Sequence, residues 1–232
     1  MDFPKASDFI TNIAFDSVVF GFSGQELKIL IMEYHNTGYF ALPGGFVRRD
    51  EALNDAVQRG LHERTGLKDV FLEQFYTFGG LSRFQPEIMA RITKENEMEL
   101  PPDHWMLDRF ISVGYYALID YNQVELKPDA LSDSIKWYNI DELPELILDH
   151  QEIVQKALQT LKGKLYTQVV GKNLLPEKFT MKDLQNVYEA ILGEKLRRTS
   201  FQRKILSLEL LNRHEKLYNG KAHKAPYLYS YK

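Results

Sequence analysis

Gly45 to Leu67 reads GFVRRDEALNDAVQRGLHERTGL. Leu53, Ala56, Val57 and Leu61 recur at helical spacing, so this segment is a loop feeding a helix over roughly 51–65 with those four residues toward the core. Asp50 or Glu51 stands where a helix N-terminus favours an acid, and Glu51 and Arg59 are placed to pair across the loop–helix junction. Gly44 and Gly45 read as turn residues and Gly66 as the cap. Upstream, residues 12–34 read as two strands joined by a turn at SGQE, and 40–47 as a strand-loop entering the helix. Downstream, 70–78, 110–120 and 135–138 read as strands and 146–161 as a helix, while 83–108, with KENEMELPPD, reads as a polar, exposed insertion. The result is a mixed sheet flanked by helices.

The spacing of Gly45, Glu51, Arg59, Leu61, Glu63, Gly66 and Leu67 resembles the Nudix box. That resemblance implies a helix supplying carboxylates at 60, 63 and 64, positions i, i+3 and i+4 on one face, to hold Mg²⁺ for phosphoanhydride cleavage. Here Gly60 and Arg64 replace two of the acids, and only Glu63 remains. A cation at 64 repels a dication at close range. The box therefore implies a scaffold with no catalytic residue, no bound metal and no cofactor. A hydrolase such as an ADP-ribose pyrophosphatase is the alternative.

The 232 residues carry a net charge of −3 that conceals an asymmetry. Residues 162–232 hold 15 Lys and Arg against 6 Asp and Glu, a net of +9, and the rest of the chain is −12. A basic module joined to an acidic one points to nucleic acid as a partner of the basic end. There is no cysteine, which excludes disulfides and thiol chemistry. No apolar run approaches a membrane span and the N-terminus lacks a signal-peptide pattern, so a cytoplasmic protein is expected.

A boundary is expected near 162, giving domains 1–162 and 163–232. In the second, Thr180 N-caps a helix with Asp183 completing a capping box, Leu184, Val187, Tyr188 and Ile191 form its apolar stripe, and Gly193 ends it. Thr199 or Ser200 then caps a second helix over 200–210, with Phe201, Ile205 and Leu208 inward and Gln202, Arg203 and Lys204 outward. Two helices across a short turn, followed by a hairpin about Asn219-Gly220, read as a winged helix-turn-helix. Tyr227 and Tyr229 fall on one face of that hairpin.

With ALPGGFV, LEQFYTFGG, ISVGYYALI, ELPELILDH, LLPEKFTMKDLQNVYEAILGEKL and RRTSFQRKIL, the whole chain resembles the Nudix-related transcriptional regulators. That resemblance implies a homodimeric repressor on a palindromic double-stranded operator, with a small-molecule inducer in the Nudix-like domain. Of its branches, the arabinose-responsive AraR branch is the nearest in look, so L-arabinose and sugar catabolism are expected, with an ADP-ribose-responsive regulator of NAD metabolism as the alternative. Expected DNA contacts are Lys195, Arg197, Arg198, Thr199, Ser200, Gln202, Arg203 and Lys204, with Lys221, His223 and Lys224 at the wing tip. Expected effector contacts, near the mouth of the box between sheet and insertion, are Tyr39, Phe46, Arg83, Trp105 and Tyr115.

Overall fold

The computed structural model describes residues 5–24, 26–68, 70–167, 174–218 and 225–232. Two long apolar stretches set its centre. β1 (Phe9–Phe22) and β2 (Leu27–Tyr34) form an antiparallel hairpin with Phe20 opposite Ile29. β3 (Phe40–Ala41) pairs with β2, and β4 (Gly44–Arg48) with the first half of β1. The box helix α1 (Leu53–Thr65) follows, then β5 (Leu72–Phe78). α2 (Pro86–Glu95) leads by way of a loop to β6 (Ile111–Asp120), which runs parallel to β1 from Ile13 opposite Ile111 to Phe22 opposite Asp120. β7 (Ser132–Asn139) closes the other side of β2.

The sheet lies between α1 and α3 (His150–Lys164) because its strands alternate. Phe15 and Tyr115 pack under Ala56 and Val57 of α1. Val18 and Phe20, on the opposite face, pack on Ile153, Val154 and Ala157 of α3.

The insertion departs from its expected form. Pro86 at the first turn starts α2, and Ile88, Met89 and Ile92 recur at helical spacing behind it. Ile92 is fully buried, and Arg83, Trp105 and Met106 are buried as well. The segment covers one end of the sheet instead of standing off as an exposed loop. α1 also starts later than expected: Ala52 precedes its first turn, and Glu51 is outside the helix. Gly44 and Gly45 lie inside β4 and are not turn residues.

α3 continues through the expected boundary at 162 to Lys164 and packs against the second unit. There β8 (Phe179–Thr180), α4 (Met181–Leu192), α5 (Arg198–Ser207), β9 (Leu211–Lys216) and β10 (Tyr227–Tyr231) form a winged helix-turn-helix, with the strands ordered β8-β10-β9. The Thr180–Asp183 capping box is present, and Gly193 ends α4 with φ of 76°, a left-handed value that favours glycine. α5 opens at Arg198 after Arg197, so Thr199 and Ser200 lie within its first turn and neither is the cap. The register of β10 on β9 shifts between Tyr227 and Tyr229, so Tyr229 is buried while Tyr227 is 40% exposed. The turn at Asn219-Gly220 lies outside the described residues, as do Lys221, His223 and Lys224.

Among the described residues no helix is long and apolar enough to cross a membrane.

Candidate functional site

A cavity of about 250 Å³ opens where β1, β4, the start of α2 and the N-terminus of α3 converge. Its polar wall comes from Asp16, Arg64, Arg83, Asp129 and His150, and its apolar wall includes Phe46, Met89 and Ile147. This is the place expected between the sheet and the insertion.

Arg83 is the anchor of its floor. Its guanidinium is buried between Asp16, whose Oδ2 accepts from Nη2 at 3.1 Å, and Asp149, which accepts from Nη1. Asp16 Oδ2 also accepts from Ser112 Oγ at 2.6 Å. Burial works against ionisation of Asp16, but the Arg83 guanidinium and the bond from Ser112 outweigh it and hold the carboxyl below its usual value. Burial likewise lowers His150, whose Nδ1 accepts the Leu42 N–H at 3.0 Å and so carries no proton. The imidazole is therefore neutral, with Nε2 3.5 Å from Asp16. Arg83 Nε is buried with no partner among the described residues.

The box helix supplies the opposite side, and its residues do not form a dication site. Glu51 is taken up by Arg59: Oε1 accepts from Nη2 at 2.7 Å and Oε2 from Nε at 3.0 Å, and the Arg48 N–H adds a third bond. Those bonds hold its carboxyl below the usual value. Gly60 lies against the Phe15 ring, where an added Cβ would come within 2.9 Å of Cζ. The side chain of Glu63 is half exposed and 3.5 Å from Arg59. Arg64 turns inward, donating to Gly60 O at 2.9 Å, Gly44 O at 3.1 Å and Asp129 Oδ2 at 2.7 Å, with Nε 3.1 Å from Met32 Sδ. Among the described residues no group of three or more His, Cys, Asp or Glu is arranged to hold a metal. The acids that remain are engaged by arginines, so the Mg²⁺ chemistry implied by the box does not fit this donor set.

Of the expected effector residues, Phe46 and Arg83 line the cavity and the other three are elsewhere. Tyr39 lies under Arg91, with the guanidinium 4.9 Å from its ring. Trp105 is packed between Phe9 and Phe46, behind the wall. Tyr115 faces α1, its hydroxyl donating to Asn54 Oδ1 at 2.7 Å. Residues absent from the sequence reading, Asp16, Asp149 and His150, hold the floor; they pair across more than 60 positions, a separation with no local signal.

The second surface is the front of α5. Arg197, Arg198, Thr199, Ser200 and Arg203 are exposed, and no side chain caps the helix. Its free N–H groups and flanking cations make an anion-binding end. Arg197, Arg198 and Arg203 have no acidic partner among the described residues. Gln202 is partly exposed beside them. Lys195 and Lys204 are already engaged, Lys195 with Glu189 at 3.0 Å and Lys204 3.4 Å above the Tyr166 ring. Glu189, unremarked in the sequence, ties the inter-helix turn together: it accepts the Leu196 N–H at 3.1 Å and Gln185 Nε2 at 2.7 Å. Those bonds, with that of Lys195, hold its carboxyl down at about 2.

Comparison with known proteins agrees with this two-part layout. The NUDIX domain family matches residues 11–160, and the family described as NrtR DNA-binding winged helix domain matches 171–231. The ADPR responsive transcriptional repressor NtrR of Acinetobacter baylyi is 29% identical over 198 residues, covering 82% of this chain and 70% of that protein. The crystal structure of Shewanella oneidensis NrtR superposes with a TM-score of 0.69 at 28% identity, covering 95% of this chain and 94% of that one. The same protein in complex with a 27mer DNA gives 0.68 at 28% identity over 95% and 93%.

Proposed function

We propose, from the premise that this chain belongs to the NUDIX domain family, that it is a cytoplasmic, homodimeric, DNA-binding repressor whose Nudix domain binds an effector of the ADP-ribose class and does not hydrolyse it. The observation that carries this reading is the pairing, in one chain, of an uncapped cationic helix end with a Nudix cavity whose box acids are engaged by arginines. The first grips operator DNA; the second senses a ligand without cleaving it.

Arg197, Arg198 and the free first turn of α5 contact phosphates, giving sequence-independent affinity that falls with salt. Ser200, Gln202 and Arg203 face the major groove, where Arg reads guanine and Gln reads adenine through paired bonds. A symmetric dimer then reads a palindrome.

The effector differs from the one expected. L-arabinose and the arabinose-responsive branch find no counterpart among these relatives, of which the curated repressor is named for ADPR. The acidity of the whole domain does not describe its cavity fully, since two arginines, Arg64 and Arg83, stand among the aspartates that line it. Its volume encloses one end of a nucleotide-sized ligand and leaves the rest at the mouth.

Fluorescence anisotropy with duplex DNA from upstream of the neighbouring genes, repeated with ADP-ribose and with L-arabinose, tests the proposal. Salt-sensitive binding weakened by ADP-ribose alone is expected. Release by L-arabinose alone, or steady phosphate production from ADP-ribose with Mg²⁺, overturns it.

A further inference from the structure

The two departures from the box are one arrangement. The Arg64 side chain is about nine-tenths buried, yet it lines the cavity. Of its five N–H bonds, one points at Met32 Sδ, one at Gly60 O, one at Gly44 O and one at Asp129 Oδ2; the second hydrogen on Nη1 has no recorded acceptor among the described residues. An acid at 60, four residues before Arg64 on the same face, would pair with this guanidinium and neutralise it. Glycine offers only its carbonyl, and the Phe15 ring closes the space a side chain would need.

The one carboxylate left to Arg64 comes from a loop. Asp129 lies between β6 and β7 with its side chain 27% exposed, lines the same cavity, and is steadied by the Leu131 N–H at 3.1 Å and Ser132 Oγ at 2.7 Å. A carboxylate seated on a guanidinium at a cavity wall occupies the place that a phosphate would take, and Arg–phosphate pairs favour the same two-pronged geometry. Across Gly44, which faces Asp16 in the β1–β4 register and whose carbonyl holds Arg64, stands the second arginine, Arg83, paired with Asp16 and Asp149 and with its Nε unpartnered among the described residues.

We propose that Arg64 replaces the dication of a Nudix site: a diphosphate-bearing ligand binds its guanidinium without metal, in exchange for Asp129. This rests on the reading that the cavity takes the effector, and it adds the chemical group recognised and the residue that yields. The positive charge is carried by the chain itself, so affinity is indifferent to Mg²⁺. Asp129, once displaced, frees the loop that carries it.

Calorimetric titration of the full chain with ADP-ribose and with ADP, in excess EDTA or excess Mg²⁺, tests this with two variants. Equal affinity in both buffers is expected for the wild type. Arg64→Gln loses about tenfold or more, the scale of a charge-assisted bond, while Asp129→Asn tightens binding by removing the competing charge. Binding lost in EDTA and restored by Mg²⁺ overturns the proposal and leaves the effector reading standing. Weakening by Asp129→Asn as severe as that by Arg64→Gln also overturns it, since the pair would then be structural. If Arg64→Gln fails to fold, the metal dependence and Asp129→Asn decide. If ADP binds in this pattern and ADP-ribose does not, the Arg64 assignment holds and the effector reading falls. If neither ligand binds in either buffer, both fall.

Discussion

The Lys204 ammonium of α5 lies 3.4 Å from the centroid of the Tyr166 ring, two residues beyond the end of α3. Tyr166 packs on Tyr188 at 5.5 Å, Tyr188 meets Phe201 edge-on at 5.2 Å, and the Tyr188 hydroxyl donates to Leu165 O. α5 is thus joined to α4 and to the segment that follows α3 by a stack of rings capped by a cation. Tyr166→Ala should uncouple the two: the ratio of operator affinities without and with effector, roughly 5–150 for a typical coupling, should fall toward one. Anisotropy titrations read this directly, and an unchanged ratio would remove the stack from the route.

Restoring the box acids should not restore hydrolysis. In Gly60→Glu/Arg64→Glu the new side chain at 60 meets Phe15, and Glu51 stays held by Arg59. Phosphate release from ADP-ribose with Mg²⁺ should remain at background. Gly60→Ala alone should cost about 1–3 kcal/mol, because overpacking forces Phe15 to move. A melting temperature equal to that of the wild type would contradict the close approach.

Glu189 should make the winged helix acid-sensitive. Its folded carboxyl is depressed from 4.5 to about 2 by Leu196, Gln185 and Lys195. A depressed acid contributes stability that is fully present above the unfolded value and is lost as pH falls through the folded one. Glu189→Gln should therefore be less stable than wild type at pH 7, and the gap should close as pH drops from about 4.5 toward 2. Urea unfolding across that range checks the sign; a gap that widens in acid would refute it.

The two arginines of α5 should separate by role. Arg203→Ala should cost about 1–3 kcal/mol on the operator and relax sequence preference, whereas Arg198→Ala should weaken all duplexes alike and lower the salt slope by about one. Competition with non-operator DNA at several salt concentrations distinguishes them.

What was legible in the sequence was chemistry that acts over a few residues. Thr180 with Asp183, Gly193 after an apolar stripe, and Glu51 with Arg59 each announce themselves locally, and each is present. The helix of the insertion is hard to read because the polar run KENEMELPPD outweighs the Ile88, Met89 and Ile92 spacing just before it. Arg83 is legible as a cavity residue, but its partners are not: Asp16 is 67 positions upstream and Asp149 is 66 downstream. The unequal burial of Tyr227 and Tyr229 is not legible, because a register shift is a property of two strands and leaves no mark on one. That Lys204, an expected DNA contact, also sits over a tyrosine ring is not legible, because Tyr166 lies 38 positions upstream.

α3 has its first residue, His150, in the wall of the cavity and Leu161, in its last turn, in the core shared with the winged helix. Fifteen helical residues without a break make a rod of roughly 22 Å. A pivot of about five degrees at its ligand end swings the other end by roughly 2 Å, by the same rise per residue. Such a lever needs no change in its own shape, so a ligand that moves Arg83 slightly can displace the winged helix packed at the far end of α3.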